Sequence, residues 1–560
     1  MNKKILLGTE LFDEFISGNG YYVDKTELIY ELVEEAANKV TLFTRPRRFG
    51  KTLTMSMMEC FFSIQKGDSR ALFEGKNIMR HSDFCNTWMN KYPTLFLSLK
   101  DVNGLSFESA FKMLRTAISN LCTKNIFLEN HEKVIPADKE KFRKLLYEEA
   151  TLEEIKNALT VIMRMMMSVY GKPVILLIDE YDVPLDKAQA NGYYQEMLDV
   201  IRGMLSTSLK TNEFLKFAVI TGCLRIPKES IFTGVNNFAA YSVLDEEFSS
   251  YFGFTQEEIT DLLKYYHLED KVDVVKDWYD GYLFGNTEIY CPWDAMSYVS
   301  ALKMRKKAKP KAYWENTSGN DAFKAFFELA SDSINEQFEA LLNGKTITEN
   351  VTNALTYEEA YKSEENLWSI LLMTGYVTVA NQEDLEDQDD EDGSVGIELR
   401  IPNREIVQIF QKAVVEHFKQ SVDQNRVSEL MNSLWDGDEE KASEILSDLL
   451  FETISYWDYH EDYYHAFLAG IFAGRGYVPK SNKERGLGRP DVSLKDYKNR
   501  RAMIIETKKS DSKDKLDYWC DIGIQQIVDK EYAKNLKDYK QVLCYGIAFF
   551  EKTAKVKMLK

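Results

Sequence analysis

Four short, almost wholly apolar runs recur through the first 222 residues: "KVTLFT" (39–44), "PTLFLSL" (93–99), "PVILLID" (173–179) and "FLKFAVITG" (214–222). A strand apolar on both faces must be covered on both. The stretches between, such as "SFESAFKMLRTAISNL" (106–121), carry apolar residues three and four apart, as a covering helix does. Together they predict a parallel α/β sheet between Tyr22 and about Ala240. The chain has 560 residues, too many for one core, so several domains are expected.

The later pattern is different. Asp245 to Asn403 reads as mainly helical, ending in a helix over "TYEEAYKSEENLWSILLMTG" and two strands, "YVTVA" and "IELRI". The acidic loop "NQEDLEDQDDEDG" joins those strands like the wing of a winged-helix unit, and its charge suits a solvated tip that repels phosphate. Linking helices follow over 405–450. From Phe451 the order is helix ("EDYYHAFLAGIFA"), three strands ("YVPKS", "PDVSL", "AMIIETK"), helix ("YWCDIGIQQIVDKEYA") and two strands ("VLCYGIAFF", "AKVKML"). The expected domains are therefore 1–244, 245–404, 405–450 and 451–560. The last is net basic although the chain carries −19, which argues for a local contact with an anion rather than an all-over basic wrapper. Seven dispersed cysteines show no metal or disulfide spacing. "MNKKILLGTE" is too short in apolar residues for a signal peptide, and no ~18-residue apolar run occurs. A cytoplasmic protein without a membrane partner is expected.

"VTLFTRPRRFGKTLTM" places Gly50, Lys51 and Thr52 directly after a strand and at the head of a helix. Backbone N–H groups at such a helix start hold a β-phosphate, a lysine reaches the β- and γ-oxygens, and a hydroxyl ligates Mg²⁺. The glycine that usually stands five positions before Gly50 is replaced by Arg45. "VILLIDEYD" ends a second strand in Asp179, suited to hold Mg²⁺ through water, and Glu180, suited to polarise the attacking water. Both motifs fall at the carboxyl ends of strands, where open α/β sheets bind ligands. A third strand ends at Thr221, a candidate γ-phosphate sensor, with Arg225 beyond it as a candidate for neutralising transition-state charge. Ordinary turn and surface roles fit these two equally well.

Together "YYVDKTELI", "RPRRFGKTLTM", "LLIDEYDVPL", "TGCLRIPKESIFTGVNNF" and "YWENTSGN" resemble the bacterial AAA-ATPase-like family, most closely over the first 240 or so residues. That family's phosphate loop reads Arg-Pro-Arg-Arg-Phe-Gly-Lys, so the resemblance implies that Arg45 is a family trait. It also implies an ATP site that includes Arg48, Gly50, Lys51, Thr52, Asp179, Thr221 and Arg225, and a nuclease-like C-terminal domain.

"GRPDVSLKDYKNRRAMIIETKKS" (488–510) carries the second chemistry. Alternation puts Glu506 and Lys508 on one face of their strand, and a hairpin brings Asp491 beside Glu506. Two such carboxylates repel unless a divalent cation lies between them, and Mg²⁺ takes hard oxygens of this kind. A salt-bridged set on a solvated edge is the competing account. It does not explain why Glu506 interrupts the most apolar strand of the segment, where an unpaired carboxylate is costly. The spacing resembles the PD-(D/E)xK nuclease superfamily. The resemblance implies a third carboxylate at Glu461 and a supporting role for Gln526, with Lys480, Lys483, Arg485 and Arg489 available for phosphate.

The fold class expected is an α/β multidomain chain: a P-loop NTPase sheet, a helical and winged-helix-like middle, and a restriction-endonuclease-like end. The expected enzyme is an ATPase whose nucleotide state gates Mg²⁺-dependent cleavage of nucleic acid, DNA ahead of RNA, with Mn²⁺ as a substitute ion. Glu180, Asp491, Glu506, Lys508 and Gln526 form its catalytic set, and Thr52, Asp179, Glu461, Asp491 and Glu506 its metal ligands. Arg225 could act in its own subunit or toward a neighbour in a homo-oligomer. The alternatives are a nucleotide-dependent switch with a non-cleaving platform, and an ATPase that remodels nucleic acid without cutting it.

Overall fold

The structure, a computed structural model, describes residues 3–225, 232, 237–314, 332–342, 344–352, 355–359, 363–381, 395–421, 424–453, 464, 467–468, 471–472, 491–496, 499–536 and 539–559. The chain forms two compact units, Met1–Ala325 with Gly344–Ile406, and Phe326–Asn343 with Val407–Lys560.

In the first unit the four apolar runs become β1 (Val40–Thr44), β2 (Thr94–Ser98), β3 (Val174–Asp179) and β4 (Leu215–Gly222). A fifth strand, β5 (Phe238–Tyr241), completes a parallel sheet of order β2-β3-β4-β1-β5. Every residue of β1 and β3 is buried, as continuous apolarity requires when helices cover both faces. Those helices include α1 (Lys51–Phe62), α2 (Phe107–Lys124), α3 (Ala158–Tyr170) and α4 (Tyr194–Leu209). The Ser106 side chain caps α2 by accepting from Ser109 N. The sequence did not announce β5: "FAAY" is four residues long, only half-buried and at the sheet edge.

The middle of the chain is helical, as its sequence suggests, with short strands between the helices. It holds a hairpin of β6 (Tyr282–Phe284) and β7 (Thr287–Ile289), then α5 (Pro292–Met304), with proline in the first turn where no N–H is needed. Three-residue strands are too short to show a period, so the hairpin was not legible. Next come β8 (Ile347–Val351), α6 (Glu364–Thr374), β9 (Thr378–Val379) and β10 (Val395–Arg400). They form an antiparallel sheet of order β8-β10-β9. The paired β9 and β10 are the two wing-like strands expected; most of the acidic loop between them lies outside the described residues.

The second unit contains most of α7 (Arg404–Ser421), followed by α8 (Gln424–Asp436) and α9 (Glu439–Thr453). Its sheet has the order β11-β12-β13-β14, formed by Val492–Asp496, Arg501–Lys509, Gln541–Phe550 and Thr553–Met558. β12 and β13 are parallel and joined through α10 (Leu516–Asp529), while both outer pairings are antiparallel. The segments expected as the strand "YVPKS" and the basic run around Lys483 lie outside the described residues.

Candidate functional site

The first site grows from the end of β1. Arg48 and Gly50 both take positive φ, 74° and 87°, which turns the loop sharply enough to start α1 at Lys51. Arg45 is fully buried and holds the loop from below. Its Nη1 donates to Thr44 O and Tyr241 O, both at 2.9 Å, and its guanidinium lies 5.3 and 5.6 Å from the Phe252 and Phe284 rings. Burial pulls this guanidinium down to about 10. A glycine there could not tie the loop to β5, which gives a physical reason for the unusual loop sequence.

Lys51 Nζ donates to Arg45 O and Pro46 O, each at 3.0 Å, and lies 3.5 Å from Glu180 Oε1. Burial opposes its charge, but Cys223, Glu180, Asp182 and Asp179 outweigh that and raise its pKa. β4 lies between β1 and β3, so Thr221 stands beside Asp179. Thr221 Oγ1 donates to Asp179 Oδ1 (2.7 Å), while Thr52 Oγ1 and Ser98 Oγ donate to Oδ2 (2.9 and 3.3 Å). Burial, then the Glu180 charge, pushes the Asp179 carboxyl up. Thr52, Ser98 and Asp179 thus make a compact set of hard oxygens of the kind Mg²⁺ takes, next to an ammonium suited to phosphate.

A cavity of about 620 Å³ opens over this loop, and Arg47, Arg48, Gly50, Lys51, Thr52 and Glu180 line it. Thr221, fully buried, holds Asp179 and does not line the cavity. Nor is Arg225 brought to the cavity wall; its carbonyl accepts from Leu355 N at 3.1 Å. Sequence reasoning missed Asp182, which is buried and accepts from Cys223 N, Leu224 N and Tyr357 Oη at 2.8–2.9 Å. Burial and Glu180 raise it to about 6. The Asp-Glu-Tyr-Asp run was the available signal.

The second site lies on β12. In the antiparallel register Val492 faces Ile505, so Asp491 stands opposite Glu506. Glu506 is 1% exposed and directly follows the apolar run Ala502–Ile505 of its strand. Gln526 Nε2 donates to its Oε1, the Lys508 ammonium lies 3.6 Å from the same atom, and Oε2 accepts from Asp491 N at 3.3 Å. The Asp491 carboxylate leans the other way, with Oδ2 accepting from Thr507 N (2.9 Å) and Thr507 Oγ1 (2.7 Å). Lys508 Nζ also donates to Thr507 O at 2.8 Å.

Gln526 reaches Glu506 because α10 crosses β13 closely. A Cβ on Gly546 would lie 2.1 Å from Cys520 O, and Gly523 faces both Gly546 and Glu506. One turn on from Gly523, Gln526 projects from the same face. Tyr532 was missed in the sequence; its hydroxyl bonds Gln526, and burial followed by the Glu506 and Asp491 charges raises its pKa.

The structure therefore gathers Lys508 and Gln526 on the Glu506 carboxylate, while Asp491 meets it through its backbone N–H and turns its own carboxylate to Thr507. Glu461, Lys480, Lys483, Arg485 and Arg489 lie outside the described residues. Among the described residues no cluster of three metal-ligating side chains occurs. The Glu506 carboxylate and Thr507 O are hard oxygens of the type Mg²⁺ takes, and the Lys508 ammonium now lies against both.

Residues 6–232 match the family described as predicted AAA-ATPase, and residues 459–558 match the PD-(D/E)XK nuclease superfamily. The chain is also 26% identical over 368 residues to a protein of Azotobacter chroococcum mcd 1, described as an uncharacterized protein in the vnfD 5′ region. That alignment spans 64% of this chain and 64% of its relative. Among the described residues no helix is long and apolar enough to cross a membrane.

Proposed function

We propose, for a chain that carries an AAA-ATPase-like domain and a PD-(D/E)XK nuclease superfamily domain, that ATP binding and hydrolysis at the first site govern phosphodiester cleavage at the second. The substrate is nucleic acid, DNA ahead of RNA, acted on in the bacterial cytoplasm. The proposal takes the chain as four parts, 1–244, 245–404, 405–450 and 451–560, the first two within the first compact unit apart from residues 326–343.

At the first site Lys51 holds the β- and γ-phosphate oxygens, exchanging its contacts to Arg45 O and Pro46 O for them. Thr52 and Asp179 would hold Mg²⁺, and Glu180, its side chain at the cavity wall, orients the attacking water. Thr221 holds Asp179 in place. Arg225 would meet transition-state charge only across a subunit boundary or after a local rearrangement.

At the second site Asp491, Glu506 and Thr507 O would hold the divalent ion, with Glu461 as a further ligand. Such an ion lowers the pKa of water and neutralises charge on the scissile phosphate. Gln526 keeps Glu506 aimed, and Lys508 Nζ donates hydrogen bonds to the charge that builds on the phosphate.

The buried Glu506, opposite Asp491 and touched by both Gln526 and Lys508, carries this reading. Glu506→Gln is expected to abolish cutting of labelled DNA and RNA with Mg²⁺ or Mn²⁺ while ATP turnover persists. Lys51→Ala is expected to abolish turnover. Cleavage retained in Glu506→Gln would remove the nuclease assignment.

One observation favours a second reading. Lys508 and Thr507 already satisfy the two carboxylates, which suits a platform that switches partners with nucleotide and does not cut. Weaker Mn²⁺ binding after Asp491 and Glu506 are neutralised supports the nuclease; unchanged binding supports the platform.

A further inference from the structure

The amino ends of the first unit's parallel strands form the edge of the sheet opposite the phosphate loop, which follows the carboxyl end of β1. Lysines gather along that edge. The segments at the amino ends of β1 to β4 read "ANK" (37–39), "NKYP" (90–93), "GKP" (171–173) and "KTNEFLK" (210–216), and Glu213 is their one acid. In a chain that carries −19 such an edge is a local departure. Among the described residues Lys39, Lys172 and Lys216 form no ion pair with a carboxylate.

Two aromatic rings stand among these lysines. Trp88 ends the helix Ser82–Trp88 and stacks on Tyr92, with ring centroids 4.8 Å apart and planes at 27°. Both residues are half-buried. Lys216 Nζ lies 5.1 Å from the Trp88 centroid and 5.7 Å from that of Tyr92, and Lys172 Nζ lies 5.2 Å from the Tyr92 centroid. A bulge presents Lys216: Leu215 pairs with Val174 and Phe217 with Ile175, which leaves Lys216 as the extra residue of β4. Lys39 Nζ donates to Lys216 O at 3.0 Å. Burial, then the neighbouring Lys216 charge, pulls the Lys39 pKa down. Like charges held together without an acid favour a bound anion.

We propose that this edge is a binding surface for single-stranded nucleic acid, with a base stacked on the Trp88–Tyr92 pair and the Lys39, Lys172 and Lys216 ammonium groups on its phosphates. Rings and cations side by side favour this partner over an acidic protein. Unpaired bases offer flat faces that replace the ammonium groups now lying over the rings, and the phosphates that repeat along the strand take up those ammonium groups. A duplex keeps its bases stacked on one another and offers only its phosphates. The inference goes beyond ATP-governed cleavage, since holding a strand here needs neither nucleotide nor cutting.

Fluorescence anisotropy of the full chain with a labelled oligothymidylate of about 20 nucleotides, longer than one such site, tests this in EDTA, which keeps the strand intact. The unaltered protein should bind the strand more tightly than a duplex of the same length. Tyr92→Ala should weaken the strand about fivefold or more, the low end for a lost base stack, and spare the duplex, while Tyr92→Phe should stay near the unaltered affinity. Lys172→Gln combined with Lys216→Gln should weaken the strand and flatten the slope of log K against log salt by about 0.7 per lysine, a slope that Tyr92→Ala should leave unchanged. Affinity and slope unaltered in the double lysine variant would overturn the surface and leave the Glu506 site standing. Equal loss of strand and duplex in Tyr92→Ala would also overturn it, since the ring would then act only through the fold. Polyglutamate that displaces the strand as well as unlabelled strand does would overturn the nucleic-acid assignment in favour of an acidic protein. Failure of the unaltered protein to bind the strand would overturn it as well.

Discussion

Glu405 and Asp294 are buried carboxyls that face each other in the first unit. Glu405 Oε1 accepts from Tyr313 N and, at 2.8 Å, from Trp314 N. Asp294 follows Trp293 on α5 and also feels Arg48. Burial, then the neighbouring Asp294 charge, raises the Glu405 pKa far above that of a free glutamate. A raised carboxyl means that the folded state holds a proton the unfolded chain has released. Its stability is therefore full below the ordinary glutamate range, about pH 4.3, and is lost progressively as pH rises toward the raised value, by up to about 1.4 kcal/mol per pH unit. Glu405→Gln keeps an oxygen for the two backbone N–H groups and removes the titration. Urea unfolding followed from about pH 6 to about pH 8 should show stability falling in the unaltered protein and a flatter dependence in Glu405→Gln. Nothing local in "CPWDA" or "PNREI" pairs these residues; only the fold does. The Arg45 anchor was equally hidden, because a loop arginine reads as exposed until β5 is seen beneath it.

Elements position the second site through close contact. Gly523 on α10 and Gly546 on β13 let helix and strand approach, and this approach delivers Gln526 to Glu506. Gly546→Ala places a Cβ against the Cys520 carbonyl and must push α10 outward. We expect a loss of about 1–3 kcal/mol, typical of overpacking, together with loss of nuclease activity while ATP turnover is retained. Chemical denaturation and paired activity assays check this. Another element covers the exposed edge of β14. Glu439, Ser443 and Ser447, spaced four apart on α9, accept from Met558, Val556 and Ala554 N at 3.2, 2.9 and 2.9 Å. Four helical residues rise about 6 Å and two strand residues about 6.8 Å, so the rows match and the edge is closed to another strand. The apolar and polar pattern of α9 marks it as a helix, but not as a cover for a strand more than a hundred residues later.

Across the whole molecule, the nucleotide cavity lies within the first unit and the Glu506 cluster within the second. Each unit has its own sheet and core, so unfolding is expected in two steps. Mg²⁺ with ATP should raise the midpoint of one step only, by a free energy that grows as RT ln(1 + [L]/Kd), about 2.7 kcal/mol at a hundred times Kd. Differential scanning calorimetry with and without nucleotide measures this, and Lys51→Ala should cancel the shift. Two steps raised equally would mean that the units do not unfold separately.

Local order and chemical type were set by the sequence alone. Continuous apolar runs required β1 to β4 to be covered on both faces, and the strand-loop-helix order put Lys51 and Thr52 where phosphate chemistry needs them. Alternation in "IIETK" placed Glu506 and Lys508 on one face. Tertiary structure decided which distant groups meet: Thr221 with Asp179, Gln526 with Glu506, Arg48 with Trp293 and Glu405 with Asp294. The reason is physical. Periodicity and propensity act over a few neighbouring residues, whereas burial makes polar groups from remote segments satisfy one another once water is gone.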